Sequence, residues 1–272
     1  MVHSIVLLLM MFALQGTAYE IPAPPLALTG ETAEAFLRDA EVIELEEYDN
    51  KGITQPRKAT LTDGELSLFA VFKDIDEIHP KIKAADGRMV LNLKDCYKHE
   101  IAAYELDKLL ELGIVPPTVE RKIGRDRGSL QIWITGAMTE WERKKNKKTP
   151  PPDMAEWNNQ ISTLKLFLQL IWDTDYNNIS NIMVDEDWKI WKIDSSRAFR
   201  IDGHLRREDS LTRFSRSFLA SLENLDRKKF EKALSPWLNS KQIKKMWQRR
   251  TRILVLAEER VAEFGEASVL YD

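Results

Sequence analysis

The sequence predicts an α+β protein in two parts, a small antiparallel sheet followed by a helical half. Three features point there: closely spaced turn signals between short apolar runs in residues 41–73, helical spacing of apolar residues from 153 onward, and eight Trp and ten Phe to fill a core. At 272 residues, 43% apolar and 31% charged, the chain has material for one or two compact domains. Eleven Gly and eleven Pro exclude collagenous and low-complexity alternatives. A formal charge of −3 excludes a whole-surface basic footprint, so no nucleic acid partner is expected. Cys96, alone, closes no internal disulfide, and the scattered His3, His79, His99 and His204 offer no zinc-ligand spacing.

Residues 5–14 (IVLLLMMFAL) are ten consecutive apolar residues, followed by Gln15, Gly16, Thr17 and Ala18, which suit cleavage after Ala18. This predicts a signal peptide over 1–18 and export to a periplasmic or extracellular space; uncleaved, the same segment would retain the chain. The region ahead of it carries only the α-amino group and His3, with no Lys or Arg. A spanning helix needs about 20 apolar residues, so no transmembrane helix is expected in the mature chain. Residues 19–40 form an N-terminal spacer, Pro-rich at 21–30, and a lead-in helix.

Residues 41–137 read as the sheet-bearing part. Strands over 41–48, 54–62 and 66–73 are separated by Asp49-Asn50-Lys51-Gly52 and Asp63-Gly64, which makes an antiparallel meander. In the third strand Phe69, Val71 and Lys73 share one face, and Leu66, Leu68, Ala70 and Phe72 the other. Residues 95–112 read as a helix stopped by Gly113, with Cys96 packed at its start, and apolar segments follow at 118–123 and 129–135.

Residues 138–272 read as the helical part. The basic run Arg143, Lys144, Lys145, Lys147 and Lys148 is expected to be a solvated linker face, the alternative being a docking site for an acidic or phosphorylated substrate. After three prolines, Asp153 and Glu156 make a capping pair for a helix in which Met154, Trp157, Ile161, Leu164, Leu168 and Ile171 recur at helical spacing. Short strands at 183–185 and 188–193 flank the turn Asp185-Glu186-Asp187, with Trp188 and Trp191 as packing residues, and residues 241–252 read as the polar face of a late helix.

The chemistry concentrates in residues 172–199, where Asp173, Asp175, Asn178, Asn181 and Asp194 surround a hairpin that follows an apolar helix. Their oxygens are the hard ligands Mg²⁺ prefers. The run NIMV followed by KID resembles the protein-kinase-like superfamily, in which a catalytic-loop Asp and Asn precede a hairpin and a metal-binding Asp. It is similar to the atypical branches, bacterial HipA-like, phosphoinositide-kinase-like and secretory-pathway enzymes, which lack the usual HRD and DFG strings.

That resemblance implies a two-lobed protein-kinase-like fold, with a small antiparallel sheet lobe plus a helical lobe, and ATP and Mg²⁺ as cofactors. It implies Asp175 as the catalytic-loop Asp, Asn181 and Asp194 as metal ligands, and Lys73 as the phosphate-holding lysine with Glu100 as its partner. Val71 would cap the adenine, and the turn at Gly52 would cover the phosphates with one glycine where protein kinases use three. Asn181 and Asp194 lie 13 positions apart, as the pattern wants, but Asp175 and Asn181 lie six apart, one more than usual. Asp173 with Asn178, spaced five, is a competing pair. Lys73 and Glu100 are 27 residues apart, which implies an insertion around 79–88. Outside the resemblance, Glu100 would make a helix-surface pair with Lys98 or His99, and Arg197 would pair with an acid near the metal site or brace the surface. The implied function is ATP- and Mg²⁺-dependent phosphate transfer to a hydroxyl of a protein or small molecule. The alternatives are a catalytically inactive pseudokinase that binds nucleotide or protein, and transfer of AMP from a flipped nucleotide.

Overall fold

The computed structural model describes residues 26–48, 55–83, 89–146 and 150–272. The expected signal peptide over 1–18 lies outside the described residues.

The upper lobe is built on a five-stranded antiparallel sheet. Helix α1 (Gly30–Asp39) leads into strands β1 (Glu41–Glu47), β2 (Arg57–Thr62) and β3 (Ser67–Lys73). A hairpin of β4 (Asp76–Lys83) and β5 (Met89–Cys96) precedes helix α2 (Tyr97–Leu110), and β6 (Thr118–Ile123) and β7 (Asp126–Ile132) complete the sheet in the order β1-β2-β3-β7-β6. The two-residue period sends Leu68, Ala70 and Phe72 of β3 into a core with Ala59, Leu61, Leu130 and Ile132, closed by Ala33, Phe36 and Leu37 of α1. Arg121 ties the end of α1 to the sheet by donating to the carbonyl of Leu37 at 2.7 Å and to that of Ala40. Phe69, Val71 and Lys73 take the opposite, half-buried face.

The stretch between β3 and α2 differs most from the sequence expectation. Helix α2 begins at Tyr97 rather than 95, because β5 stays paired with β4 through the Asp76–Cys96 register. The extra length between β3 and α2 is that β4–β5 hairpin; Pro80 in β4 hid it, since proline is confined to edge strands.

The lower lobe comprises β8 (Met138–Thr139), α3 (Glu140–Lys145), α4 (Met154–Leu170), β9 (Ile182–Val184), β10 (Ile190–Lys192), β11 (Phe214–Ser215), α5 (Arg216–Glu223), α6 (Arg227–Leu234), α7 (Ser240–Phe264), α8 (Glu266–Val269) and β12 (Leu270–Tyr271). Asp153 caps α4 by accepting the amides of Ala155 and Glu156, and Leu164, Phe167, Leu168 and Ile171 enter a core shared with α2 and α7. Asp185 organises the turn between β9 and β10, its Oδ1 accepting the amides of Asp187 and Lys189 and its Oδ2 the indole of the buried Trp191 at 2.8 Å. Arg143, Lys144 and Lys145 of the basic run belong to α3 rather than to a linker, and Arg143 makes a two-point contact with Glu140 and stacks 4.9 Å from Trp157; Lys147 and Lys148 lie outside the described residues. Nor are residues 241–252 simply a polar face. Arg249 is 0% exposed, and its Nε donates to the Leu170 carbonyl at 2.7 Å, which fastens α7 to the end of α4.

Candidate functional site

The end of β3, the first turns of α2 and the segment after β10 meet between the lobes. Lys73 Nζ lies 2.6 Å from Glu100 Oε1 and 2.8 Å from Asp194 Oδ1. Glu100 is buried, and its second oxygen accepts the amide of Ser195 at 2.8 Å. It therefore holds both the lysine and the chain that carries Asp194, and does not pair with Lys98 or His99 on a surface. Burial opposes charge on all three groups, and proximity outweighs it at Lys73 and Asp194 but not at Glu100. Lys73 is raised above the usual lysine range, because the attraction of Asp194 and Glu100 outweighs desolvation. The Asp194 carboxyl is held well below the usual carboxylate range by Lys73, with Lys192 and Arg197 adding to it. Glu100 is pushed up by its burial and by the nearby Asp194 charge. Asp194 has φ of 57°, a left-handed conformation costly for any residue but glycine, and neighbouring contacts must impose it.

The β3 backbone at Lys73 is crossed closely by β7. A Cβ placed on Gly128 would lie 2.2 Å from the Lys73 carbonyl oxygen, so only glycine fits there. On the cleft face Val71 pairs across the sheet with Lys58 of β2, whose Nζ sits 3.7 Å from the Phe69 ring centre. Gly52 lies outside the described residues.

The loop after α4 separates two carboxylates that the spacing left in competition. Asp173 is buried, with Oδ2 2.9 Å from the buried Lys192 ammonium and Oδ1 accepting the amide of Asp175. Asp175 is half-buried, 3.5 Å from Arg197 Nη1, and its carboxyl is pushed up by burial and by the Asp173 charge, against the pull of Arg197. Asn178 caps a 3-10 turn, Ile179–Asn181, through the Ser180 amide, and its Nδ2 reaches Asn181 Oδ1 at 3.2 Å. The Asn181 carbonyl accepts the amide of Ile193 at 3.0 Å, which brings Asn181 beside the strand leading to Asp194.

The donor set suits Mg²⁺. Asn181 Nδ2 is buried without a hydrogen-bond partner among the described residues, while its Oδ1 accepts one bond, from Asn178, and keeps a second lone pair. Asn181 and Asp194 would be the residues to offer an oxygen each to such an ion, since Mg²⁺ beside phosphates needs only one or two from the protein. No cluster of three or more His, Cys, Asp or Glu residues suited to a metal occurs among the described residues.

Sequence reasoning missed three supports of this site: Lys192 under Asp173, Asp95 beside Arg197, and His99. Asp95 was counted as a helix start, and Lys192 as one more residue of a strand. His99 is buried in α2, its Nδ1 2.7 Å from the Ser196 carbonyl oxygen and its Nε2 3.2 Å from Gln242 Nε2 of α7. Burial lowers its pKa to about 4, so the neutral ring accepts from Gln242 and donates to Ser196.

No protein-family model matches the sequence, and no curated protein matches it. Among solved structures, hydra Fam20, determined with a sugar, superposes at a TM-score of 0.62 with 16% identity, over 87% of this chain and 90% of that one. The Helicobacter pylori proinflammatory kinase CtkA aligns with 84% of this chain and 98% of its own at a TM-score of 0.49 and 12% identity. On the likeness to the first of these, the chain has a two-lobed α+β, kinase-like fold.

Proposed function

We propose that the chain is an ATP- and Mg²⁺-dependent phosphotransferase acting on a hydroxyl acceptor, a protein or a small molecule. The observation that carries this reading is Lys73 held by Glu100 and Asp194 between the lobes, at 2.6 and 2.8 Å, a fixed ammonium of the kind that pairs with phosphate oxygens. Lys73 holds the phosphates, Glu100 aims it, and Val71 and the turn at Gly52 cover the nucleotide. Asn181 and Asp194 hold Mg²⁺, which when bound neutralises charge on the phosphates. Asp175, rather than Asp173, receives or orients the acceptor hydroxyl, since Asp173 is already paired with Lys192. The hydroxyl oxygen bonds to the γ-phosphorus as the bond to the β-phosphate oxygen breaks, and ADP leaves.

Residues 1–18 direct the chain to export in this reading. Among the described residues no helix is long and apolar enough to cross a membrane.

Calorimetric titration of residues 19–272 with ATP, with and without Mg²⁺, beside Asp194→Ala, tests the proposal. Metal-dependent binding that Asp194→Ala abolishes, with the mutant still folded by circular dichroism, is expected. Binding without metal and without transfer to any acceptor would assign the chain as a pseudokinase. AMP transfer would assign the flipped-nucleotide chemistry, and no binding by a folded sample would reject a nucleotide site.

A further inference from the structure

We propose that Arg197 is the positioning residue of this site: its guanidinium spans from Asp95, at the root of α2, to Asp175, and aims that carboxylate into the cleft. The inference rests on the phosphotransfer reading of Asp175.

Asp95 is fully buried at the end of β5, two residues ahead of α2. Its Oδ2 accepts Arg197 Nε at 2.7 Å, and its Oδ1 has no hydrogen-bond partner among the described residues. A buried carboxylate needs a cation, and Arg197 supplies one. The same guanidinium then presents Nη1 3.5 Å from Asp175 Oδ2, an ion-pair distance longer than a hydrogen bond. The main chain of Arg197 is also set against this loop: Thr174 Oγ1, one residue before Asp175, donates to the Arg197 carbonyl at 3.1 Å. The Phe199 amide donates to the Ile171 carbonyl at 2.6 Å. Arg197 is therefore fixed from both ends, with little freedom in where its fork points.

That fork answers a specific electrostatic need. Asp173 and Asp194 both repel the Asp175 carboxylate, while Arg197 and Lys192 attract it. Lys192 is engaged with Asp173 and with the carbonyls of Ile193 and Asp194, which leaves Arg197 to set the direction in which Asp175 points. A planar guanidinium meets two carboxylates through different nitrogens in fixed directions, whereas an ammonium is a compact charge on a flexible stem that imposes no fixed direction. The arrangement also links the two lobes: Asp95 precedes the helix that carries Glu100, so the partner of Lys73 and the aim of Asp175 share one brace.

Arg197→Met alone would strand the buried Asp95 charge and risk unfolding, so the test uses Arg197→Lys and the double variant Asp95→Asn/Arg197→Met. In steady-state phosphate transfer, Arg197→Lys is expected to lower kcat about ten-fold or more with the KM for ATP unchanged, a split that a merely structural role would not produce. Crystal structures of both variants are expected to show the Asp175 carboxylate turned from its wild-type direction. An unchanged kcat in folded Arg197→Lys, or an unmoved Asp175 in the double variant, would overturn the proposal. If the wild-type protein transfers no phosphate, the phosphotransfer reading fails separately, and the position of Asp175 in the double variant still decides whether Arg197 sets it.

Discussion

Helix α2 and the β4–β5 hairpin share the junction at Cys96 and Tyr97, and they differ in what surrounds them. The helix is held from every side. Lys108 pairs with Glu34 of α1 at 2.7 Å, Tyr97 donates to Glu120 of β6, His99 reaches Ser196 and Gln242, and Glu100 holds both Lys73 and Ser195. Even its last turn is fastened, since Asp107 Oδ1 accepts the amides of Ile114 and Val115. Among the described residues the hairpin is anchored only at its root, where Leu93, Asp95 and Cys96 are buried; further out its strands pair with each other and present Ile78 at 65% and Met89 at 50% exposure. Local stability follows burial and partner density, so the helix belongs to the rigid part of the molecule and the hairpin to the part that opens first. The difference explains how 27 residues separate Lys73 from Glu100 without parting them: the excess length leaves as an exposed hairpin, and the chain returns to the same place.

The comparison breaks most sharply at Glu100. Glu100→Gln removes the buried charge that aims Lys73 and is expected to slow phosphate transfer by about 100-fold or more in steady-state assays; an unchanged rate would make the helix a packing element only. His99 comes next and carries a pH signature. Its pKa is about 4 in the folded protein against 6.5 for the free side chain. As pH falls the unfolded chain takes the proton first, so this contribution is whole above about pH 6.5 and shrinks as pH approaches 4, by up to about 3 kcal/mol. Urea unfolding of the wild type and His99→Gln across that range measures it, and the variant should show a flatter profile. Gly128→Ala forces a methyl group against the Lys73 carbonyl and should cost about 1–3 kcal/mol, read as a lower Tm, with weaker nucleotide binding because the lysine shifts with its strand. At the hairpin, Ile78→Ser should change stability by no more than about 0.5 kcal/mol and leave nucleotide titrations as they are. A large loss there would mean that the hairpin is as firmly built in as the helix it precedes.

Much of the frame was legible in the chain. The meander from β1 to β3 follows from alternation broken by turn residues, and the core of α4 from a helical period behind an Asp cap. The candidate site was legible as an order of residues, Lys73, Glu100, then the Asp and Asn set of residues 173–194. Its supports were not. Nothing in the spacing marks Arg249 as buried in a run of cations, because a helix places every residue on some face and only packing says which face is inside. The hairpin escaped notice because one proline in a short strand looks like a loop.

By itself, then, the sequence determined what depends on neighbours along the chain: the strand faces, the helix caps, the turn at Asp185 and the two-part order of sheet and helices. The tertiary structure decided what depends on charges meeting through space. Asp173 is buried on Lys192 while Asp175 stays half-buried beside Arg197, and both cations come from the far end of the β9–β10 hairpin or after it. Glu100 became a partner of Lys73 rather than a surface acid because α2 packs against the sheet at that turn. Coulombic pairing and desolvation act over a few ångströms in three dimensions, and linear spacing does not encode those distances.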